Sequence, residues 1–163
     1  MATFQDIRGH IESKVNTAFG RLNPPVEVVF DNVQETPPAL PYVICLISYT
    51  NTTEPVLCQG ESMVEALNGN LQLSIYAPRA RGMSALELYG AEAMKVMNTM
   101  YDPSAEARVK CGQINGPVPV LSSSEPYALV TVSCPFTARY VESGGDTTRR
   151  VTTRDVLLTN PQP

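Results

Sequence analysis

Between Asn70 and Tyr101 the sequence changes its apolar period once, and that change dictates two elements and their order. Asn70-Leu-Gln-Leu-Ser-Ile-Tyr-Ala77 alternates, so an extended chain places Leu71, Leu73, Ile75 and Ala77 on one face. Pro78-Arg-Ala-Arg-Gly82 breaks the alternation, and the apolar residues then recur at helical spacing: Leu86, Tyr89, Gly90, Ala93, Met94, Met97, Met100 and Tyr101. A strand with one buried face needs a covering layer, and the following helix is the nearest candidate. Ser84-Ala-Leu-Glu87 fits a capping box, with Met83 and Leu88 placed as a hydrophobic staple. The methionines at helical spacing read as core filler rather than as an adaptable binding surface. Asp102-Pro103 closes the helix.

A second amphipathic helix opens the chain. Phe4, Ile7, Ile11, Val15, Ala18 and Phe19 form its stripe, Thr3 caps it with Asp6 in the first turn, and Gly20 is expected in the left-handed position at its end, before Pro24-Pro25. Val26 to Asp31 reads as a strand, and the prolines between Asn32 and Pro41 make a loop. Tyr42-Val-Ile-Cys-Leu-Ile-Ser-Tyr49 is apolar at nearly every position, which predicts a strand covered on both faces, by helices or by a neighbouring subunit. Asn51 to Pro55 reads as a turn, Val56 to Leu67 as a further strand, and Asn68-Gly69 as a two-residue hairpin. Asn115-Gly116 is a second hairpin signal, between Val109–Ile114 and a Pro117- and Pro119-containing segment that suits an edge or loop.

Tyr127 to Tyr140 alternates throughout, with Ala128, Val130, Val132, Cys134, Phe136, Ala138 and Tyr140 on one face and Pro135 implying an edge or bulge on the other. Past Val141 the composition turns to Gly, Ser, Thr and charge. The expectation is one α+β domain over residues 1–141, a twisted, mainly antiparallel sheet with two main helices packed on it, followed by an extended C-terminal arm over 142–163 that is flexible or docks on a partner.

In this 163-residue chain, 43% hydrophobic and 17% charged residues describe a folded globular protein, and a net charge of −4 gives no general attraction for nucleic acid or anionic membranes. The N-terminal residues lack the basic-then-apolar pattern of a secretion signal and no run is long and apolar enough to span a bilayer, so a soluble, unexported protein is expected. Cys45, Cys58, Cys111 and Cys134 have neither CxxC spacing nor histidine companions and read as reduced apolar fillers rather than a metal or redox site. Asn51-Thr-Thr53 matches a glycosylation acceptor, a chance match in an unexported chain. His10, the single histidine, would have to serve any triad chemistry alone; with no second catalytic residue near it in sequence, it reads as a boundary residue of the first helix. No nucleophile elbow, phosphate loop, dinucleotide fingerprint or HExxH helix is present, so no catalytic, cofactor or metal residue is assigned and an enzyme is not expected. Arg79 and Arg81 beside Gly82 suit an anion at a helix N-terminus or, as the expectation here, a contact turn. Together with Arg149, Arg150 and Arg154 of the arm they are the candidate subunit or partner interface.

The order of these features, with Pro41-Tyr42 entering a strand, Gly69-Asn-Leu-Gln-Leu-Ser-Ile-Tyr-Ala-Pro78 followed by Gly82, and Cys134-Pro-Phe136, resembles the tail terminator proteins of tailed bacteriophages. The resemblance covers Met1 to Tyr140 in element order and leaves out the tail. It implies a small α+β subunit that assembles as a homo-hexameric ring, caps the tail tube, stops its growth and presents a surface to the head connector or neck proteins. The location it implies is the virion, assembled in the host cytoplasm, with DNA passing through the ring lumen without sequence-specific contact. Two other readings stay open: another head–tail joining protein, such as a neck or head-completion subunit, and a small ligand-binding domain or enzyme with its site at the Pro78–Gly82 turn.

Overall fold

The computed structural model describes residues 3–31, 38–56, 64–78, 83–120 and 127–141. Their order is α1 (Phe4–Gly20), β1 (Glu27–Phe30), β2 (Tyr42–Val56), β3 (Val64–Pro78), α2 (Met83–Asn98), β4 (Val109–Cys111), β5 (Asn115–Val120) and β6 (Tyr127–Val141). This is an α+β fold with one mixed, mostly antiparallel six-stranded sheet. The strands run β1-β2-β3-β6, with β4 and β5 both on the far side of β6. Only β1 is parallel to its neighbour.

The alternation seen in the sequence sets which face is buried. Val43, Cys45 and Ile47 of β2 lie in register with Ile75, Leu73 and Leu71 of β3, and these with Val130, Val132 and Cys134 of β6. All nine are buried. Both helices pack on this face: Ile7, Ile11, Val15 and Phe19 from α1, and Leu86, Tyr89, Ala93, Val96, Met97 and Met100 from α2 or just beyond it. The nine sheet side chains and the ten helical ones form one core, the arrangement expected when each layer has one apolar side.

Several local expectations change. The capping box of α1 is present, with the Asp6 N–H donating to Thr3 Oγ1 at 3.2 Å and Thr3 N–H donating to Asp6 Oδ2 at 2.8 Å. Gly20 is helical, however, and Arg21 forms the C-cap in the right-handed region at φ −83°. Helix α2 starts at Met83, so Ser84 lies inside the helix and is no N-cap. Leu88 is 62% exposed, which rules out its role in a staple, and Tyr101 is 50% exposed rather than part of the apolar face.

Neither Asn-Gly pair makes a hairpin turn. Asn51 to Pro55 continues β2, and Asn68-Gly69 lies within β3, paired on both sides. The hairpin signal loses here because Gly69 is needed for space: a Cβ there would stand 2.7 Å from Phe136 Cε1 and would also collide with the Ser48 carbonyl. Asn115-Gly116 forms an irregularity in an edge strand, between Asn115↔Ser133 and Val118↔Thr131. Gly116 takes φ +106°, a conformation natural to glycine, with the Thr131 carbonyl 2.6 Å from where a Cβ would be.

Pro135 is likewise not on an edge strand. In β6 it pairs with Asn70 of β3, and its carbonyl accepts the Gly112 N–H at 2.7 Å on the other side. The irregularity falls in the neighbour, where β4 ends opposite Phe136 and β5 begins opposite Ser133. A missing donor at Pro135 is tolerated because the facing chain breaks its ladder there.

Candidate interaction surfaces

Arg79, Arg81, Arg149, Arg150 and Arg154, the candidate interface arginines, lie outside the described residues, as does the arm over 142–163. Three surfaces formed by the described residues stand out.

The first is the sheet face opposite the helices. The same alternation that buries Cys45 and Leu73 turns Tyr42, Ile44, Leu46, Gln72, Ser74, Tyr76, Leu129, Thr131 and Ser133 to this side, where Tyr42 and Ser74 are nonetheless buried and Leu46 is exposed. The expectation that β2 needs cover on both faces is thus met on one face by helices, while Leu46 on the other is 40% exposed. Along Tyr42–Ser48, Asn68–Pro78 and Tyr127–Thr137 there is no charged residue. An open antiparallel face in a free-standing domain normally alternates to charged and polar residues.

One end of this face is aromatic. Tyr42 and Tyr76 stack with centroids 4.8 Å apart and planes 14° apart, and Tyr127 meets Tyr76 edge-on at 5.1 Å. Burial raises the phenol pKa of Tyr42, and the neighbouring Tyr76 and Tyr127 raise it further; burial and then Tyr127 do the same for Tyr76. The middle is polar and uncharged, where Gln72 Nε2 donates to Ser74 Oγ at 3.3 Å. At the other end Asn68 accepts from Thr137 Oγ1 at 3.0 Å and donates to Asn51 at 3.0 Å.

The second surface is a cleft of about 710 Å³ between α1 and α2. Lys14, Arg21 and Lys95 line it with Glu92 and Asp102, a mixed set with no single sign of charge. His10 sits at this boundary, where its Nε2–H donates to the Met100 carbonyl at 2.9 Å. That bond ties α1 to the chain just past α2. Asp102 is engaged by the Ser104 N–H at 2.9 Å and hydroxyl at 2.6 Å, which lower its pKa.

The third is a groove of about 540 Å³ beside the C-terminal end of α2 and the β4 edge. Its lining includes Met97, Tyr101 and Cys111, three cations, Arg108, Lys110 and Arg139, and no carboxylate. Sequence reasoning missed it because Arg108 and Lys110 meet Arg139 only through the β4–β6 register, which brings Lys110 opposite Thr137. Alternation did place Thr137 and Arg139 on one side of β6, but nothing local identified their partner strand.

Among the described residues no group of three or more His, Cys, Asp or Glu side chains is placed to hold a metal ion, and no helix is long and apolar enough to cross a membrane. Cys111 and Cys134 are near enough for their thiols to hydrogen-bond, which lowers the pKa of the first and, with burial, raises that of the second. Both are free thiols, as is Cys45.

No family model matches the sequence, and no curated protein matches it. Among the solved structures that are similar is one, of a protein that carries no functional name, with a TM-score of 0.62 at 19% identity, covering 86% of this chain and 98% of that chain. A likeness at that identity is one of fold: this chain shares the α+β architecture of that protein over nearly its whole length.

Proposed function

We propose that this chain is a structural subunit of a bacteriophage tail that assembles as a ring, caps the tail tube, ends its growth and offers a surface for head attachment. The observation that carries the proposal is the charge-free sheet face opposite the helices, running across β2, β3 and β6 with an exposed Leu46 and an aromatic end on which Tyr42 is buried. Depletion of charge at the centre of a surface, with tyrosine enriched, is the composition of a contact surface rather than of solvent-facing sheet. The sequence resemblance supplies the kind of assembly.

Within that reading this face receives the other components of the tail, the tube end or the head connector. Electron microscopy of the purified protein, alone and mixed with isolated tail tubes, tests it. Six-fold rings with a central hole that attach to tube ends are expected. Attachment to filled heads with no affinity for tubes would reject tube capping and leave a neck subunit in its place.

A further inference from the structure

A ring requires each subunit to offer two different, mutually complementary surfaces, since a head-to-tail contact never places a patch against itself. Helix α2 carries such a pair at its two ends. Leu88 is 62% exposed, more than any other large apolar side chain among the described residues. It is bracketed by carboxylates: Glu87 is adjacent, and Glu92 is one turn further on the same side of the helix. No cation occurs in α2 before Lys95. The N-terminal half of α2 is therefore a knob, an apolar tip beside two carboxylates, of which Glu92 also borders the α1–α2 cleft with Lys14, Arg21 and Lys95.

Beyond the other end of α2 lies the basic groove, with Tyr101 50% exposed beside it and Met97 in its wall. Of the carboxylates in the turn between α2 and β4, Asp102 is held by Ser104, and neither Asp102 nor Glu106 lines the groove. An apolar tip flanked by two negative charges matches an apolar-walled groove lined by Arg108, Lys110 and Arg139 in both sign and character. Because knob and groove lie at opposite ends of one helix, a subunit does not fill its own groove, and the pair is not self-complementary.

We infer that Glu87, Leu88 and Glu92 of one subunit dock into the Arg108, Lys110 and Arg139 groove of the next copy of this chain, forming the head-to-tail contact between subunits. This contact rests on the ring reading above. It leaves the sheet face opposite the helices to other proteins of the tail.

The test is a charge exchange read by light scattering. One variant carries a reversed knob (Glu87→Lys with Glu92→Lys) and the other a reversed groove (Arg108→Glu with Lys110→Glu). All four positions lie at or near the surface, so circular dichroism and melting temperature should stay native and serve as controls for folding. Each variant alone presents knob and groove of like sign and should lose the native oligomer, sedimenting as monomer. Mixed in equal amounts, the two alternate around a ring with every contact of opposite sign, and the native mass should return.

Either variant assembling alone to the wild-type mass would overturn the contact while leaving the ring standing. Wild-type protein that is monomeric at every concentration, alone and on tail tubes, would overturn both. A groove variant that keeps the native mass but no longer retains short duplex DNA at low salt would overturn the contact and assign the groove to nucleic acid instead.

Discussion

Phe136 and Gly69 face each other across the β3–β6 ladder, and the phenyl ring fills the space that a side chain at position 69 would occupy. The same ring meets Tyr49 of β2 edge-on at 6.2 Å, so three neighbouring strands share one contact above a glycine. Gly69→Ala should destabilise the fold by about 1–3 kcal/mol, the usual cost of forcing extra volume into a packed site. Urea denaturation measures it. Adding Phe136→Leu should recover only part of the loss, because the Ser48 carbonyl obstructs the same Cβ; full recovery would place the whole constraint in the ring.

Leu46 separates folding from association. It is exposed on the sheet face opposite the helices, whereas its neighbours Cys45 and Ile47 are buried under them. Leu46→Glu should change stability by no more than about 0.5 kcal/mol, the range for exposed positions away from special features. Binding to tail tubes should fall at least tenfold in a co-sedimentation assay, since a lone charge would be buried in an apolar contact. Unchanged binding would remove this part of the sheet from the contact.

The stacked tyrosines give the fold an alkaline limit. Burial, with neighbouring phenols, holds the Tyr42 and Tyr76 pKa values above the ordinary 10.0. A folded pKa above the unfolded one means that the fold favours the neutral phenol, so the stabilisation is complete below pH 10.0 and is lost as pH rises through the folded values. The denaturant midpoint should therefore drop above about pH 10. Tyrosinate absorbance should show a late-ionising fraction in native protein that vanishes on unfolding. That fraction should shrink in Tyr42→Phe; an unaltered titration curve would show that Tyr42 ionises like a free phenol.

Thiol reactivity should rank by environment. Cys45 is buried and its pKa is pushed up to about 12, and Cys134 is raised by the Cys111 thiol and by burial. Cys111 is partly exposed, and its hydrogen bond with Cys134 favours its thiolate. Alkylation of native protein followed by peptide mapping should label Cys111 well ahead of Cys45 and Cys134, and the three rates should converge in guanidinium.

What sequence alone revealed divides by the range of the interaction. Burial of Leu71, Leu73 and Ile75, the stripe from Ile7 to Phe19 and the Thr3–Asp6 cap are set by residues within a few positions of each other, and each was legible as a period or a spacing. The two Asn-Gly pairs misled because the local turn preference was overridden from afar, by Phe136 at Gly69 and by Thr131 at Gly116. The exposure of Leu88 was also hidden, since helical spacing says which residues share a face but not where the partner layer ends. The basic groove depends on pairing between segments nearly thirty residues apart, and no periodicity reports a register. The sheet face opposite the helices lay between these extremes: its alternation was visible, but how far each of its residues is exposed, from buried Tyr42 to exposed Leu46, was a question for the third dimension.

The outer margins of the sheet set a limit on how copies of this protein can join. At one margin β1 offers only Glu27–Phe30, and at the other the exposed backbone is split between three-residue β4 and a β5 that contains Pro117 and Pro119. Among the described residues β1 covers only Tyr42–Cys45 of β2, and the longer edge left over Leu46–Val56 is broken by register shifts after Tyr49 and Thr53 and by Pro55. Short strands, register shifts and prolines at both sides work against continuous strand addition, the route to fibrils. Such interruptions favour joining through side-chain surfaces of fixed shape, and contacts of that kind set a definite angle between copies and can close on themselves after a finite number of subunits.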